Sequence, residues 1–164
     1  MKILVLSDSH SGTSFMRLAI RKTEPDICIH LGDYYDDGQT MAEEFPAIRF
    51  LQVPGNCDRF RCQPNLPAVI RCKLADVPFF LTHGHMHAVK SGPALLEKAA
   101  REAGAAIALY GHTHNADCRQ EPDGLWVLNP GSCGSYGGSV GMIELDKGKI
   151  LSCSILRADD LVAL

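Results

Sequence analysis

Residues 2–10 read Lys-Ile-Leu-Val-Leu-Ser-Asp-Ser-His, an apolar run that stops at a carboxylate and an imidazole. A short run with apolar residues at successive positions predicts a strand buried on both faces. The construction recurs at Ile27 to Leu31 before Asp33, Phe50 to Val53 before Asn56, Phe79 to Leu81 before His83, and Ile107 to Leu109 before His112 and His114. In an open α/β sheet the carboxyl ends of parallel strands lead into one crevice, where residues distant in sequence converge on a ligand. The pattern predicts a metal site at the sheet's edge, and with it an enzyme.

The intervening segments supply the rest of such a fold. Ser14 to Thr23 predicts a helix with Phe15, Leu18 and Ala19 on one stripe, ending before Pro25, and Asp26 to Leu31 returns to strand. Strand, helix, strand at this spacing is the unit of a parallel sheet. Thr40 to Phe45 predicts a short helix closed by Pro46, and Ile48 to Val53 a strand cut at Pro54-Gly55. Ala68 to Lys73 and Val77 to Thr82, separated by Leu74-Ala75-Asp76, predict a hairpin beside the parallel core. Ser91 is the expected cap of a helix whose Leu95, Leu96 and Ala99 share a face, with Pro93 in the first turn and Gly104 at the end. Strands follow at Ala106 to Tyr110, Leu125 to Leu128, Ser139 to Leu145 and Ile150 to Leu156, with no further helix of comparable quality. The carboxyl third is therefore expected to form a second, largely antiparallel sheet. Gly131 to Gly138 is too short for a linker and reads as a loop that approaches something closely.

At 164 residues with 46% hydrophobic content, the chain fits one domain over 1–164 with a substantial core. A formal charge of −3, from 16 basic and 19 acidic residues, disfavours stable duplex nucleic acid as a partner. The seven cysteines contain no C-x-x-C pair, and their odd number argues against a complete disulfide framework. The amino-terminal apolar run breaks at Ser7-Asp8, too short for a secretory signal, and no stretch reaches the ~20 apolar residues that span a bilayer. The expectation is a cytoplasmic protein with no membrane partner; a homodimer is compatible with the apolar content, although no segment specifies its interface.

Taken singly, the polar exits admit structural readings. Gly32-Asp33 also fits a turn, Asn56 a local cap, and Gly111-His112-Thr113-His114 a surface loop. Taken together they place two Asp, one Asn and four His at strand exits. Chance would have to produce each placement separately, so the joint metal-site reading prevails.

In order and spacing, Asp8-x-His10, Gly32-Asp33, Gly55-Asn56-x-Asp58, His83-Gly84-His85 and Gly111-His112-Thr113-His114 resemble the signature of calcineurin-like metallophosphoesterases. The short chain and Asn129-Pro130-Gly131-Ser132 are similar to the small bacterial and archaeal phosphodiesterases of the YfcE type. The resemblance implies an α/β fold, a four-layer αββα sandwich of two mixed sheets. It also implies a site for two divalent ions, one held by Asp8, His10, Asp33 and His114, the other by Asp33, Asn56, His83 and His112. Asp33 would bridge ions roughly 3.5–4 Å apart. Mn²⁺ is the first choice by resemblance, with Zn²⁺, Fe²⁺ and Ni²⁺ as alternatives, since oxygen and nitrogen ligands alone do not choose among them. The implied reaction is phosphodiester hydrolysis by a hydroxide held between the ions, with Asp33 and Asn56 in the catalytic centre and a small phosphodiester or nucleotide as substrate; His85 is added as a catalytic candidate from its own position, beyond what the resemblance carries. Two divalent ions outweigh the charges of Asp8, Asp33 and a hydroxide, so an acidic protein still presents a cationic centre to phosphate.

Several positions depart from that pattern. Where many relatives have a histidine after the metal-binding Asn, thought to assist the leaving alcohol, this chain has Cys57, a poor substitute with an ordinary pKa of about 8.5. His85 and His87 are candidates to replace it. His30 reads either as a hydrogen-bonded core residue or as a support behind Asp33. Asp58 reads as a partner of Cys57 or a water, of Arg59, or of its own turn. Tyr34, Tyr35 and Tyr136 are candidates for the cleft mouth. The loop after Ser132 lacks the Pro-Arg pair of many relatives, and with it an evident bidentate grip on a second phosphate. Two rival functions are weighed: a phosphomonoesterase or nucleotide phosphatase, which would need a positive pocket that the motifs supply only at Arg59, and a protein-binding scaffold similar to the retromer subunit Vps29.

Overall fold

The computed structural model describes residues 1–58, 65–134 and 138–164. The first half of the chain builds β1 (Lys2–Leu6), α1 (Thr13–Thr23), β2 (Ile27–His30), α2 (Tyr35–Glu44) and β3 (Arg49–Gln52), with the three strands parallel. Next come the antiparallel hairpin β4 (Val69–Leu74) and β5 (Val77–Thr82), then α3 (Ala94–Glu102), β6 (Ile107–Leu109), β7 (Asp117–Gln120) and β8 (Trp126–Asn129). The chain closes with β9 (Ser139–Asp146), β10 (Lys149–Arg157) and α4 (Ala158–Ala163). Two five-stranded mixed sheets result, ordered β10-β9-β1-β2-β3 and β4-β5-β6-β8-β7.

Alternation along the strands explains the layering. In β1, Ile3 and Val5 join Ile27, Ile29, Phe79, Leu81, Ile107, Leu109 and Ile143 in the core between the sheets. Leu4 and Leu6 point the other way, onto Met16 and Ile20 of α1, Met41 of α2 and Leu161 of α4. The outer face of the second sheet, with Phe80, Ala108 and Val127, is covered by Leu96 and Ala100 of α3. Helix, sheet, sheet, helix is the four-layer arrangement expected. Both faces of the central strands are apolar because both are covered.

The structure corrects several boundaries. The carboxyl third does not form the second sheet by itself: β9 and β10 extend the first sheet antiparallel to β1, while β7 and β8 complete the second. The five chemically marked strands accordingly divide between two sheets. β7 escapes a hydrophobic reading because Asp117-Cys118-Arg119-Gln120 is an edge strand, and the one helix described after it, α4, is a short segment of six residues. α2 starts at Tyr35, five residues before the expected Thr40; Asp36 and Asp37 sit in its first turn, where carboxylates complement the helix dipole. Ser91 belongs to a short 3-10 turn and does not cap α3, and Leu95 is exposed while Leu96 and Ala100 form the buried stripe. The hairpin turn is tighter than expected, with Ala75 and Asp76 both at positive φ and Leu74 inside β4. Among the described residues no helix is long and apolar enough to cross a membrane.

Candidate metal centre

The crevice lies where the carboxyl ends of parallel strands from both sheets meet. The first sheet delivers Asp8 and His10 after β1, Asp33 after β2 and Asn56 after β3; the second delivers His83 after β5 and His112 and His114 after β6. Asp8, His10, Asp33, His112 and His114 all adopt positive φ, between 43° and 67°. Non-glycine residues occupy this region at a cost, and such strain gathers where the surrounding structure enforces a functional geometry.

Two groups of potential ligands form. One atom each from Asp8, His10, Asp33 and His114 lie within 4.8 Å of one another, and so do one atom each from Asp33, His83 and His112. His114 Nε2 is 3.0 Å from Asp8 Oδ1 and 3.4 Å from His10 Nε2, and His10 Nε2 is 3.9 Å from Asp33 Oδ2. On the other side His83 Nε2 is 3.5 Å from Asp33 Oδ1 and 3.1 Å from Asn56 Oδ1, and its ring packs against that of His112. The two Asp33 oxygens thus face different histidine groups.

The donor set fits a divalent cation. Asp8 Oδ1 is buried; its neighbour is His114 Nε2 at 3.0 Å, and no group among the described residues meets it in hydrogen-bond geometry. His83, fully buried, places Nδ1 2.7 Å from the Leu31 carbonyl, so Nδ1 carries the proton and donates it there. Its Nε2 stands between two oxygen acceptors, Asn56 Oδ1 at 3.1 Å and Asp33 Oδ1 at 3.5 Å, three ligand-type atoms converging on one point. Burial, with His83 and Lys90 nearby, lowers the pKa of His112 and favours the neutral imidazole that ligates. Burial alone would raise the pKa of Asp33; His83, the Cys57 amide and thiol, and His10 outweigh it and bring the net shift down, toward the carboxylate.

A polar scaffold behind these side chains was only partly legible from the motifs. The Asp58 carboxylate, buried, accepts backbone N–H groups from Asp33, Tyr34 and Tyr35 at 3.0, 2.8 and 2.9 Å and from Gly55 at 2.8 Å. It therefore ties the loop after β2 to the loop after β3, a role beyond the local turn bond. Asp8 Oδ2 accepts from Ser7 Oγ at 2.6 Å and from the His112 N–H at 3.0 Å. Ser132 Oγ donates to the Asp8 carbonyl at 2.8 Å, and the Cys133 N–H to the Ser7 carbonyl at 3.0 Å, so the glycine-rich loop does press on the first motif. Buried Asn129 donates to Gly111 O and Thr113 Oγ1. Gly55 has no substitute: a Cβ there would lie 2.9 Å from Asp33 Cγ.

The remaining candidates fall into place. His30 is a buried support: its Nε2 is 3.2 Å from Ser9 Oγ, which donates to Asp37 at 2.7 Å, and its Nδ1 accepts the Gly32 N–H at 3.4 Å. Cys57 is exposed; partial desolvation of its thiol and the neighbouring Asp33 carboxylate push its pKa up, keeping it protonated at neutral pH. The His85 ring lies 5.4 Å from that of His83 and 6.1 Å from that of His112, with its Nδ1 buried and without a partner among the described residues. Burial and the proximity of His83 lower its pKa. His87 turns instead against Phe80. Tyr34 meets His10 edge-on at 5.2 Å. Arg59 and Tyr136 lie outside the described residues.

Known proteins share this arrangement of sequence and fold. The sequence profile of the calcineurin-like phosphoesterase superfamily domain matches residues 1–148. The phosphodiesterase MJ0936 of Methanocaldococcus jannaschii is 30% identical over 152 residues, spanning 83% of this chain and 86% of the relative. A conserved protein from Streptococcus pneumoniae, described as a predicted phosphoesterase, matches with a TM-score of 0.74 and 26% identity over 96% of this chain and 90% of its own. Zinc-bound Vps29 from Entamoeba histolytica matches with a TM-score of 0.72 and 21% identity over 96% and 98%, a likeness of fold.

Proposed function

The chain belongs to the calcineurin-like phosphoesterase superfamily and is a metal-dependent phosphoesterase, and we propose that its substrates are phosphodiesters. One observation carries this reading: a single carboxylate, Asp33, faces two separate histidine groups with its two oxygens. Asp8, His10, Asp33 and His114 would hold one divalent ion and Asp33, Asn56, His83 and His112 the other, with Mn²⁺ the first choice. Ions bound there would supply Lewis acidity and lower the pKa of water.

The chain's own groups account for the rest. Asp58, Ser7 and Asn129 hold the ligand loops in register before substrate arrives. His10 and His114, with side chains 35% and 48% exposed, mark the open side from which an ester approaches, while His83 closes the floor. His85 stands next to the second group and is the residue placed against substrate; its lowered pKa makes it a hydrogen-bonding neutral imidazole at neutral pH and a weak proton donor. Cys57 adds no stronger acid. The site therefore suits diesters whose leaving groups depart readily. The named activity of the Methanocaldococcus relative supports the diester class.

The test is hydrolysis of bis(p-nitrophenyl) phosphate against p-nitrophenyl phosphate with Mn²⁺ added and His83→Ala as control. Faster cleavage of the diester, lost in the variant, is expected. Faster cleavage of the monoester would move the reading to a phosphomonoesterase, and cleavage of neither, with stoichiometric binding of a protein partner, to a scaffold.

A further inference from the structure

Behind His114 the crevice continues into a polar pocket of about 460 Å³ whose lining includes Asn115, Ser132, Ser139 and Arg157. Its position follows from the sheet. Ser139 opens β9 and is the cross-strand partner of Arg157, the last residue of β10; the Ser139 N–H bonds to the Ser132 carbonyl, and Ser132 Oγ to the Asp8 carbonyl. A continuous ladder thus sets Arg157 beside the loop that holds a candidate metal ligand. Ser139 Oγ spends its proton on the Pro130 carbonyl and Ser132 Oγ on the Asp8 carbonyl, which leaves Arg157, the Asn115 amide and His114 as the side-chain donors among the described lining residues. Arg17, Arg21, Arg101 and Arg119 are ion-paired, whereas Arg157, like Arg49 and Arg71, has no ion pair among the described residues; its side chain packs at the first turn of α4, where the Asp160 carboxylate accepts the Arg157 N–H at 2.7 Å.

Resting on the phosphodiesterase reading, we propose that this pocket binds a second phosphate carried by the substrate, with Arg157 as the specificity-determining residue. A planar guanidinium with five donors matches a phosphate that needs no metal.

The probes are the 5′-(p-nitrophenyl phosphate) of thymidine with and without a 3′-phosphate. In the wild type with Mn²⁺, kcat/KM for the phosphorylated ester is expected to exceed that for the plain ester by roughly tenfold or more. In Arg157→Ala that ratio falls toward one, and Arg157→Lys restores part of it. An equal ratio in wild type and Arg157→Ala overturns the subsite. A readout without turnover separates it from the catalytic reading: thymidine 3′,5′-bisphosphate binding to metal-stripped protein by calorimetry. If the wild type cleaves neither ester, weaker bisphosphate binding by Arg157→Ala still supports the subsite, and equal binding ends it.

A second, independent observation concerns Cys118 and Cys153. They sit on β7 and β10, edge strands of different sheets that pack together, and their sulfurs are 3.4 Å apart with both residues partly buried. We infer that these thiols form an intrachain disulfide when exposed to a disulfide oxidant such as oxidised glutathione. Cys118 attacks one glutathione sulfur and expels a glutathione thiolate; Cys153 gives its proton to solvent, attacks the Cys118 sulfur and expels the second. Two protein thiols and one glutathione disulfide become one protein disulfide and two reduced glutathiones. The hydrogen bond between the two sulfurs lowers the pKa of one thiol, Cys118, and raises that of the other. The link joins the sheets four residues after His114 and four before Arg157. Peptide mapping after glutathione treatment is expected to show the Cys118–Cys153 crosslink, with Tm raised by roughly 5–15 °C and Cys153→Ser trapped as a Cys118 glutathione adduct. Full oxidation that leaves these two unlinked would overturn it.

Discussion

Asp33 is the residue on which both candidate ion positions depend, because its two oxygens serve different neighbours. Asp33→Asn should therefore release both ions and lower kcat/KM on the order of 10³-fold, while Asp8→Asn should keep the second ion. Metal content after gel filtration decides it; an Asp33→Asn protein with both ions and near-normal turnover would remove the bridge. His30 makes a different kind of prediction. Complete burial lowers its pKa to about 4, against an ordinary value of about 6.5. Between those values the unfolded chain binds a proton that the folded chain refuses, so stability rises with pH through the window and is lost as pH falls from about 6.5 toward 4. His30 then costs about 2 kcal/mol on going from about pH 7 to about pH 5. Urea melts of metal-stripped protein should show a pH dependence flattened by that amount in His30→Gln; equal slopes would refute the account.

At the scale of elements, the strands are rigid rails and the loops beyond them are aimed by hydrogen bonds between loops. Asp58 is the clearest case, with one carboxylate accepting four backbone N–H groups from the ends of β2 and β3. Asp58→Asn turns an amide NH₂ toward N–H donors and should lose about 2–3 kcal/mol in urea denaturation with chelator present. It should also weaken Mn²⁺ binding, although Asp58 faces no ion; unchanged affinity would limit its role to folding. Most strands were legible because apolar alternation reports burial directly. β7 was not, since an edge strand need not be apolar, and the start of α2 was hidden in Tyr35-Asp36-Asp37-Gly38, a sequence that also suits a turn.

For the molecule as a whole, the site sits across the seam between two sheets, so ligands bound there join the halves of the sandwich. Chelation should lower Tm, by about 5–10 °C relative to Mn²⁺ at a hundredfold excess over its dissociation constant. Scanning calorimetry with and without chelator tests this, and Asp33→Asn should abolish the difference.

Residue type and strand context were enough to name the metal-site candidates, because a carboxylate, amide or imidazole ending a buried strand keeps its position relative to that strand whatever the topology. The division of those strands between two sheets was decided in three dimensions: β1, β2 and β3 pair with one another, and β5 and β6 pair in the other sheet. So were the four amides on Asp58, the Nδ1 bond of His83 to Leu31 and the arrival of Arg157 beside Ser132. Each is a contact between segments far apart in the chain, and local pattern carries no record of which distant backbone will lie opposite.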